Sequence, residues 1–252
     1  MTLRPQLASR FTKGGKKVAF TLAEVLVTLG IIGVVAAMTL PMLAKNYQFY
    51  VRQQQFKKAY AALDIAVQKT QIDLGEGVKC YYGADAVVSG QRRDCNYFYN
   101  ELVKNLQIIK TCEGNPIDKG CVSSDFRTGD VVYAEVQGGS DPDAMQQVFI
   151  RDCSGFSSKY FNRTTIYVAN SGFWIYPYSN SGGNAPLFAV DINAHKGPNK
   201  WGHDIFVLYF VKSKKYDSVF KVTATKQCHP IDLNGYYTKD YMEYLYGRNS
   251  EL

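Results

Sequence analysis

The chain is poor in the residue types most catalytic and metal centres rely on. Of its 252 residues only three are histidine, His195, His203 and His229, and none belongs to an HExxH arrangement. Phosphate loops, dinucleotide fingerprints and G-x-S-x-G nucleophile elbows are absent. The six cysteines form no CxxC pair and have no zinc-module spacing. No internal repeat is apparent. These absences argue against an enzyme and against a structural zinc protein. Charge is also scarce, at 20% of residues, and 14% are aromatic, which argues against a disordered chain. A slightly negative mean hydropathy excludes a polytopic membrane protein but leaves room for a single span.

What charge there is sits unevenly. Lys and Arg number 29 against 22 Asp and Glu, a formal net charge of +7 that invites a nucleic-acid or anionic-membrane partner. Residues 1–19 hold Arg4, Arg10, Lys13, Lys16 and Lys17 and no acid. The remaining 233 residues are close to balanced, with 24 basic and 22 acidic side chains. The basic excess is a property of the leader, so the charge distribution argues against nucleic acid as a partner.

The leader runs into FTLAEVLVTLGIIGVVAAMTLPMLA, Phe20 to Ala44, whose one charged residue is Glu24. A helix of this length is roughly 37 Å long at about 1.5 Å per residue, enough to cross a bilayer core of about 30 Å with some tilt. The preceding Lys and Arg residues predict a cytoplasmic N-terminal side and a head outside the cytoplasm. A cleaved secretory signal is the plainer alternative, but the run is longer than a usual signal core and lacks a small-x-small cleavage pattern at its far end. An ionised side chain within a membrane costs on the order of 2.5–3.5 kcal/mol, so Glu24 predicts a partner cation or an escape to the interface. Its place near the helix start suits an anion.

The stretch KKVAFTLAEVLVTLGIIG, Lys16 to Gly33, resembles the N-terminal region of type IV prepilins and type II secretion pseudopilins. The resemblance covers about residues 13–45. It implies that a prepilin peptidase/methyltransferase cuts between Ala19 and Phe20 and methylates the new terminus. Where that family usually has glycine before the cut, this chain has Ala19. It further implies that Glu24 neutralises the terminal amine of a neighbouring subunit during filament assembly on an inner-membrane platform. Pro41 matches a proline that kinks the helix in many pilins, and an interior proline has a physical reason to do so.

From Tyr47 to Leu74 the pattern stays helical. Phe49, Phe56, Tyr60, Leu63, Val67 and Leu74 form one apolar stripe, and Gly75 with Gly77 is a stop. The stripe predicts that this half of the helix is the spine of the chain's own head. A partner helix is the other possible cover.

After residue 77 the period changes. A short helix is predicted at Asn96–Lys110, and strands at Val131–Gln137, Gln147–Arg151, Thr165–Val168, Phe173–Tyr178, Leu187–Val190, Ile205–Phe210 and Val219–Thr223. Short Gly-, Asn-, Ser- and Pro-rich connections favour an antiparallel sheet. Thr238–Tyr246 reads as a Tyr-rich helix. The expected fold is α+β and pilin-like, a long N-terminal helix packed on an antiparallel β-sheet head. The expected organisation is a leader at 1–19, an assembly half of the helix at 20–44, its amphipathic half at 45–77 and the head at 78–252.

All six cysteines, Cys80, Cys95, Cys112, Cys121, Cys153 and Cys228, lie in that head. Proximity favours Cys80–Cys95, Cys112–Cys121 and Cys153–Cys228, although six cysteines allow 15 pairings. Buried free thiols are the alternative.

One loop of the head carries hard oxygen donors. DINAHKGPNKWGHDIF, Asp191 to Phe206, supplies Asp191, Asn193, Asn199 and Asp204, oxygens of the kind calcium takes. Its spacing is not that of an EF-hand. Some type II pseudopilins hold calcium in a loop of the sheet domain, so the resemblance points the same way. Asx turns that satisfy local backbone groups account for the same residues without a metal.

The sequence therefore predicts a filament subunit, whose partners are other pilin or pseudopilin subunits and the lipid bilayer. The alternative is a membrane-tethered binding or adhesion protein, or a DNA-uptake minor pilin. Lys212, Lys214 and Lys215 beside Tyr209, Phe210 and Tyr216 are the residues that would serve nucleic acid, and a solvated hairpin end is the favoured account of them.

Overall fold

The computed structural model describes residues 21–75, 87–88, 91–92, 96–177, 187–212, 220–224 and 229–247. The chain divides into two units, Met1–Gln48 and Phe49–Leu252. Helix α1, Leu22–Leu74, runs through the boundary and continues unbroken through Pro41.

In the first unit the large apolar side chains of α1 are exposed all round, from Leu22 to Leu43. The segment contains a helix long and apolar enough to cross a membrane. Its two interior threonines satisfy themselves. The Thr28 hydroxyl donates to Glu24 O at 2.9 Å and the Thr39 hydroxyl to Val35 O at 2.9 Å, so neither needs water.

In the second unit, α1 buries Phe56, Ala59, Leu63, Ala66, Val67 and Thr70, with Phe49, Tyr60 and Leu74 partly covered. This is the predicted stripe. The helix stops where Gly75 takes φ +66, a conformation that costs glycine little.

Two short strands, β1 (Val87–Val88) and β2 (Gln91–Arg92), pair with each other. Helix α2, Asn96–Asn105, buries Phe98, Tyr99 and Leu102 and is followed by strand β3, Ile108–Cys112. Three further helices follow: α3 (Gly129–Gln137), α4 (Pro142–Asp152) and the single-turn α5 (Ser158–Phe161). The remaining strands are β4 (Ile166–Ala169), β5 (Trp174–Pro177), β6 (Leu187–Asp191), β7 (Ile205–Lys212) and β8 (Phe220–Ala224), and α6 spans Thr238–Tyr246. Strands β3 to β8 form one six-stranded sheet in sequence order, with every neighbouring pair antiparallel.

Both faces of this sheet are covered, which is why its central strands read as unbroken apolar runs. Along β6 and β7, Phe188, Val190, Phe206 and Leu208 join the core built on α1, α2 and α6. The alternate residues Leu187, Ala189, Ile205 and Val207 join a second core with Val132, Phe149, Phe156, Phe161 and Trp201. Phe56 of α1 stands edge-on to Phe206 at 4.9 Å and to Tyr241 at 5.1 Å. Full burial of one such ring is worth roughly 1.5–3 kcal/mol.

Three expectations are corrected. Val131–Gln137 and Gln147–Arg151 are helices, not strands. They pack against each other and supply Val132 and Phe149 to the second core, a role the β-branched residues of Val131–Val136 do not announce. The helix from Asn96 ends at Asn105, and Ile108–Cys112 is the edge strand β3, paired with β4 through Thr111↔Tyr167 and Cys112↔Ile166. Its β-branched residues favour that state. The fold is thus α+β, with helices on both faces of an antiparallel sheet.

Candidate functional site

Loop Ile192–Asp204 joins β6 to β7, and the structure brings its Asn193, Asn199 and Asp204 together with Asp191 at the end of β6. Asp191 and Asp204 are both fully buried, and Asn193 and Asn199 nearly so. Asp191 Oδ1 accepts from the Asn193 backbone N–H at 3.0 Å, an Asx turn. Asp204 Oδ2 accepts from the Asn199 N–H at 2.9 Å and from Asn193 Nδ2 at 3.3 Å, while its Oδ1 accepts from the Lys200 N–H at 2.7 Å. Asn193 Nδ2 also donates to Gly197 O at 3.0 Å.

The turn explanation therefore accounts for part of the site and leaves a remainder. Asp191 Oδ2 and Asn193 Oδ1 are buried and have no hydrogen-bond partner among the described residues. An orphaned buried oxygen is costly, and one on a carboxylate more so. Burial first, and the neighbouring Asp204 charge second, push the Asp191 carboxyl well above the ordinary carboxylate range. Burial also raises Asp204, against the backbone N–H groups of Lys200 and Asn199, the Asn193 side chain and the Arg52 guanidinium. Two carboxylates and two carboxamides, with two oxygens unspent, suit a hard divalent cation. Among the described residues no three His, Cys, Asp or Glu side chains gather as a metal-holding group, so such an ion would depend on amide oxygens as well as carboxylates.

The loop is held in place by close backbone packing. Gly202 has φ +79, and a Cβ there would lie 2.7 Å from Tyr236 N and from Tyr236 O. That space is used by the Tyr236 N–H, which donates to Gly202 O at 2.8 Å. The Trp201 N–H donates to Asp232 Oδ2 at 2.8 Å, and Asp232 pairs with Arg127.

The second group of predicted residues lies at the start of α1. Thr21 caps the helix and Glu24 is its third residue, and the two side chains bond each other's backbone. Ala19 and Phe20 lie outside the described residues. Of the cysteines, Cys112 and Cys121 are joined as predicted. Cys153 is also disulfide-bonded. Cys80, Cys95 and Cys228 lie outside the described residues, and so do the proposed pairings Cys80–Cys95 and Cys153–Cys228. Lys214, Lys215 and Tyr216 of the basic patch lie outside them too.

Each histidine has a hydrogen-bond partner within the head. His195 Nε2 lies 3.1 Å from Gly120 O and His203 Nε2 3.0 Å from Leu233 O. Buried His229 Nδ1 accepts from the Thr238 N–H at 3.3 Å.

Three features escaped the sequence reading. Thr21-Leu22-Ala23-Glu24 fits the capping-box pattern, and Asp141-Pro142 carries the N-cap and N1 signals of a helix, the Asp141 carboxylate accepting from the Ala144 N–H at 3.1 Å. Both were legible locally. Asp125 was not: its carboxylate accepts from Asn199 Nδ2 at 2.7 Å across 74 residues of chain.

Comparison with known proteins adds nothing to these observations. No protein-family profile, curated protein or solved structure matches this chain.

Proposed function

We propose that the chain is a pilin-like structural subunit, cut between Ala19 and Phe20 and assembled through α1 into a filament of the type IV pilus or type II secretion kind. The observation that carries this reading is the first half of α1. Its apolar side chains are exposed on every side, and the single acid at its start is exposed with them. Such a surface needs lipid before assembly and other copies of the same helix after it. Glu24, placed at the first turn, is then the anion that meets a neighbour's terminal amine.

The head's contribution is its loop between β6 and β7. Asp191, Asn193, Asn199 and Asp204 would hold calcium there, and the two unpartnered oxygens support that assignment. The ion would neutralise the buried carboxylates and fix the loop where β6 ends and β7 begins.

The test is the mass of the N-terminal peptide of the protein recovered from membranes. A peptide beginning at Phe20 with a methylated amine is the expected result. A chain that keeps residues 1–19, or that begins beyond residue 44, overturns the reading. A processed chain that never yields cross-linked multimers through residues 22–44 would instead be a tethered binding protein.

A further inference from the structure

The outer wall of the cation loop comes from a distant part of the chain. Asn199 Nδ2 donates to Asp125 Oδ1 at 2.7 Å, the His195 ring lies 3.1 Å from Gly120 O, and the Trp201 indole N–H donates to Arg127 O at 2.8 Å. These contacts fasten residues 120–127 to residues 195–201. Behind them, the Cys112–Cys121 disulfide closes the preceding loop, and Lys110 Nζ donates to the same Gly120 carbonyl at 3.1 Å.

Asn199 stands at the junction. Its backbone N–H is spent on Asp204 Oδ2, and its side-chain nitrogen on Asp125. A carboxamide held by its nitrogen has its oxygen direction fixed as well. Without Asp125 the carboxamide loses this hold, and on the calcium reading one of the four oxygen donors loses what orients it. Asp125 is itself exposed, and its hydrogen bonds from Ser123 and Asn199 keep it ionised.

We propose that Asp125 is a positioning residue of the cation loop: it orients the Asn199 oxygen, so that cation binding and the docking of residues 113–127 onto the loop are one linked event. The inference rests on reading Asp191–Asp204 as a calcium site. It is carried by the buried unpartnered oxygens of Asp191 and Asn193 together with the Asp125–Asn199 contact. Linkage makes it reciprocal: what loosens the segment weakens the ion, and the ion tightens the segment.

The experiment uses the full chain in detergent, with calcium chloride as the probe. Calorimetry reads the affinity, and amide hydrogen exchange of peptides covering residues 113–127 reads the docking. Calcium is expected to bind and to slow exchange there. Asp125→Ala is expected to weaken binding about tenfold, the usual scale for an outer residue that orients a ligand, and to abolish the exchange response. Asp125→Asn keeps the acceptor oxygen and is expected to restore both. Asp125→Ala binding as tightly as the parent, or calcium leaving exchange at 113–127 unchanged, overturns the inference and leaves the calcium site standing. Asp125→Asn behaving like Asp125→Ala assigns the effect to charge and also overturns it. A parent chain that takes up no calcium overturns the calcium reading and the inference with it.

Discussion

Thr21 and Glu24 cap the first turn of α1 reciprocally. Glu24 Oε2 accepts from the Thr21 backbone N–H and from its hydroxyl, both at 2.9 Å, and the Glu24 N–H donates to Thr21 Oγ1 at 3.2 Å. The acid expected to meet a neighbouring chain therefore already has a task within its own helix, and the two tasks separate by substitution. Glu24→Ala removes the reciprocal cap and the charge, and loosens the helix start. Glu24→Gln keeps an oxygen for Thr21 but removes the charge. Both variants are expected to lose multimers in a cross-linking assay, while only Glu24→Ala shows faster amide exchange at residues 22–26. Normal multimers from Glu24→Gln would remove charge pairing from the assembly.

The buried carboxylates predict a pH dependence. Asp191 holds its proton more tightly in the folded chain than in the unfolded one, because burial and the Asp204 charge oppose ionisation and the N–H groups of Asn193 and Ala194 compensate only in part. Asp125 adds a further negative charge, and Arg52 offsets some of it at Asp204. A raised folded value means that this contribution to stability is fully present below the unfolded value of about 3.9 and is lost as pH rises through the folded one. In chelator, the urea midpoint of the full chain is expected to fall from pH 5 to pH 8, and calcium is expected to remove the difference. Asp191→Asn should flatten the slope, and a slope unchanged in that variant would assign it to other groups.

Tyr241 offers a test of opposite sign. Its ring is buried, stacked on Phe206 at 4.8 Å and edge-on to Phe56, yet its hydroxyl has no partner among the described residues. Replacing an unpaired buried hydroxyl by hydrogen removes a desolvation cost. Tyr241→Phe is expected to stabilise the chain by about 1 kcal/mol, read as a higher urea midpoint with unchanged slope. A lower midpoint would mean that the hydroxyl is satisfied in solution.

The Cys112–Cys121 bridge spans nine residues and both half-cystines are buried. Replacing both by alanine is expected to cost about 2–4 kcal/mol, measured by urea unfolding under oxidising conditions. If Asp125 is positioned from this loop, the same variant also binds calcium more weakly. Loss of stability alone would confine the bridge to a structural role.

Residues that act through their neighbours in sequence were readable. The apolar run before Lys45, the stripe of Phe56, Leu63 and Val67, and the unbroken apolar runs of β6 and β7 are all visible in the local sequence. The failures at α3 and α4 came from tertiary context. Val131, Val132 and Val136 favour a strand on their own, but Asp130 anchors α3 by accepting from the Ser158 N–H at 2.9 Å and from its hydroxyl at 2.6 Å. Within the candidate site the four loop residues stand close in the chain and could be named, whereas Asp125 arrives from another segment and leaves no local trace.

Because the sheet order repeats the chain order, the head has a built-in schedule. Phe56 is made 150 residues before Phe206, the ring that covers it. At roughly 5–20 residues per second the stripe of α1 waits about 8–30 s during synthesis for its covering strands. A chain halted before Leu187 has made α1 and α2 without β6 and β7, and leaves Phe56 without Phe206, the ring that stands edge-on to it.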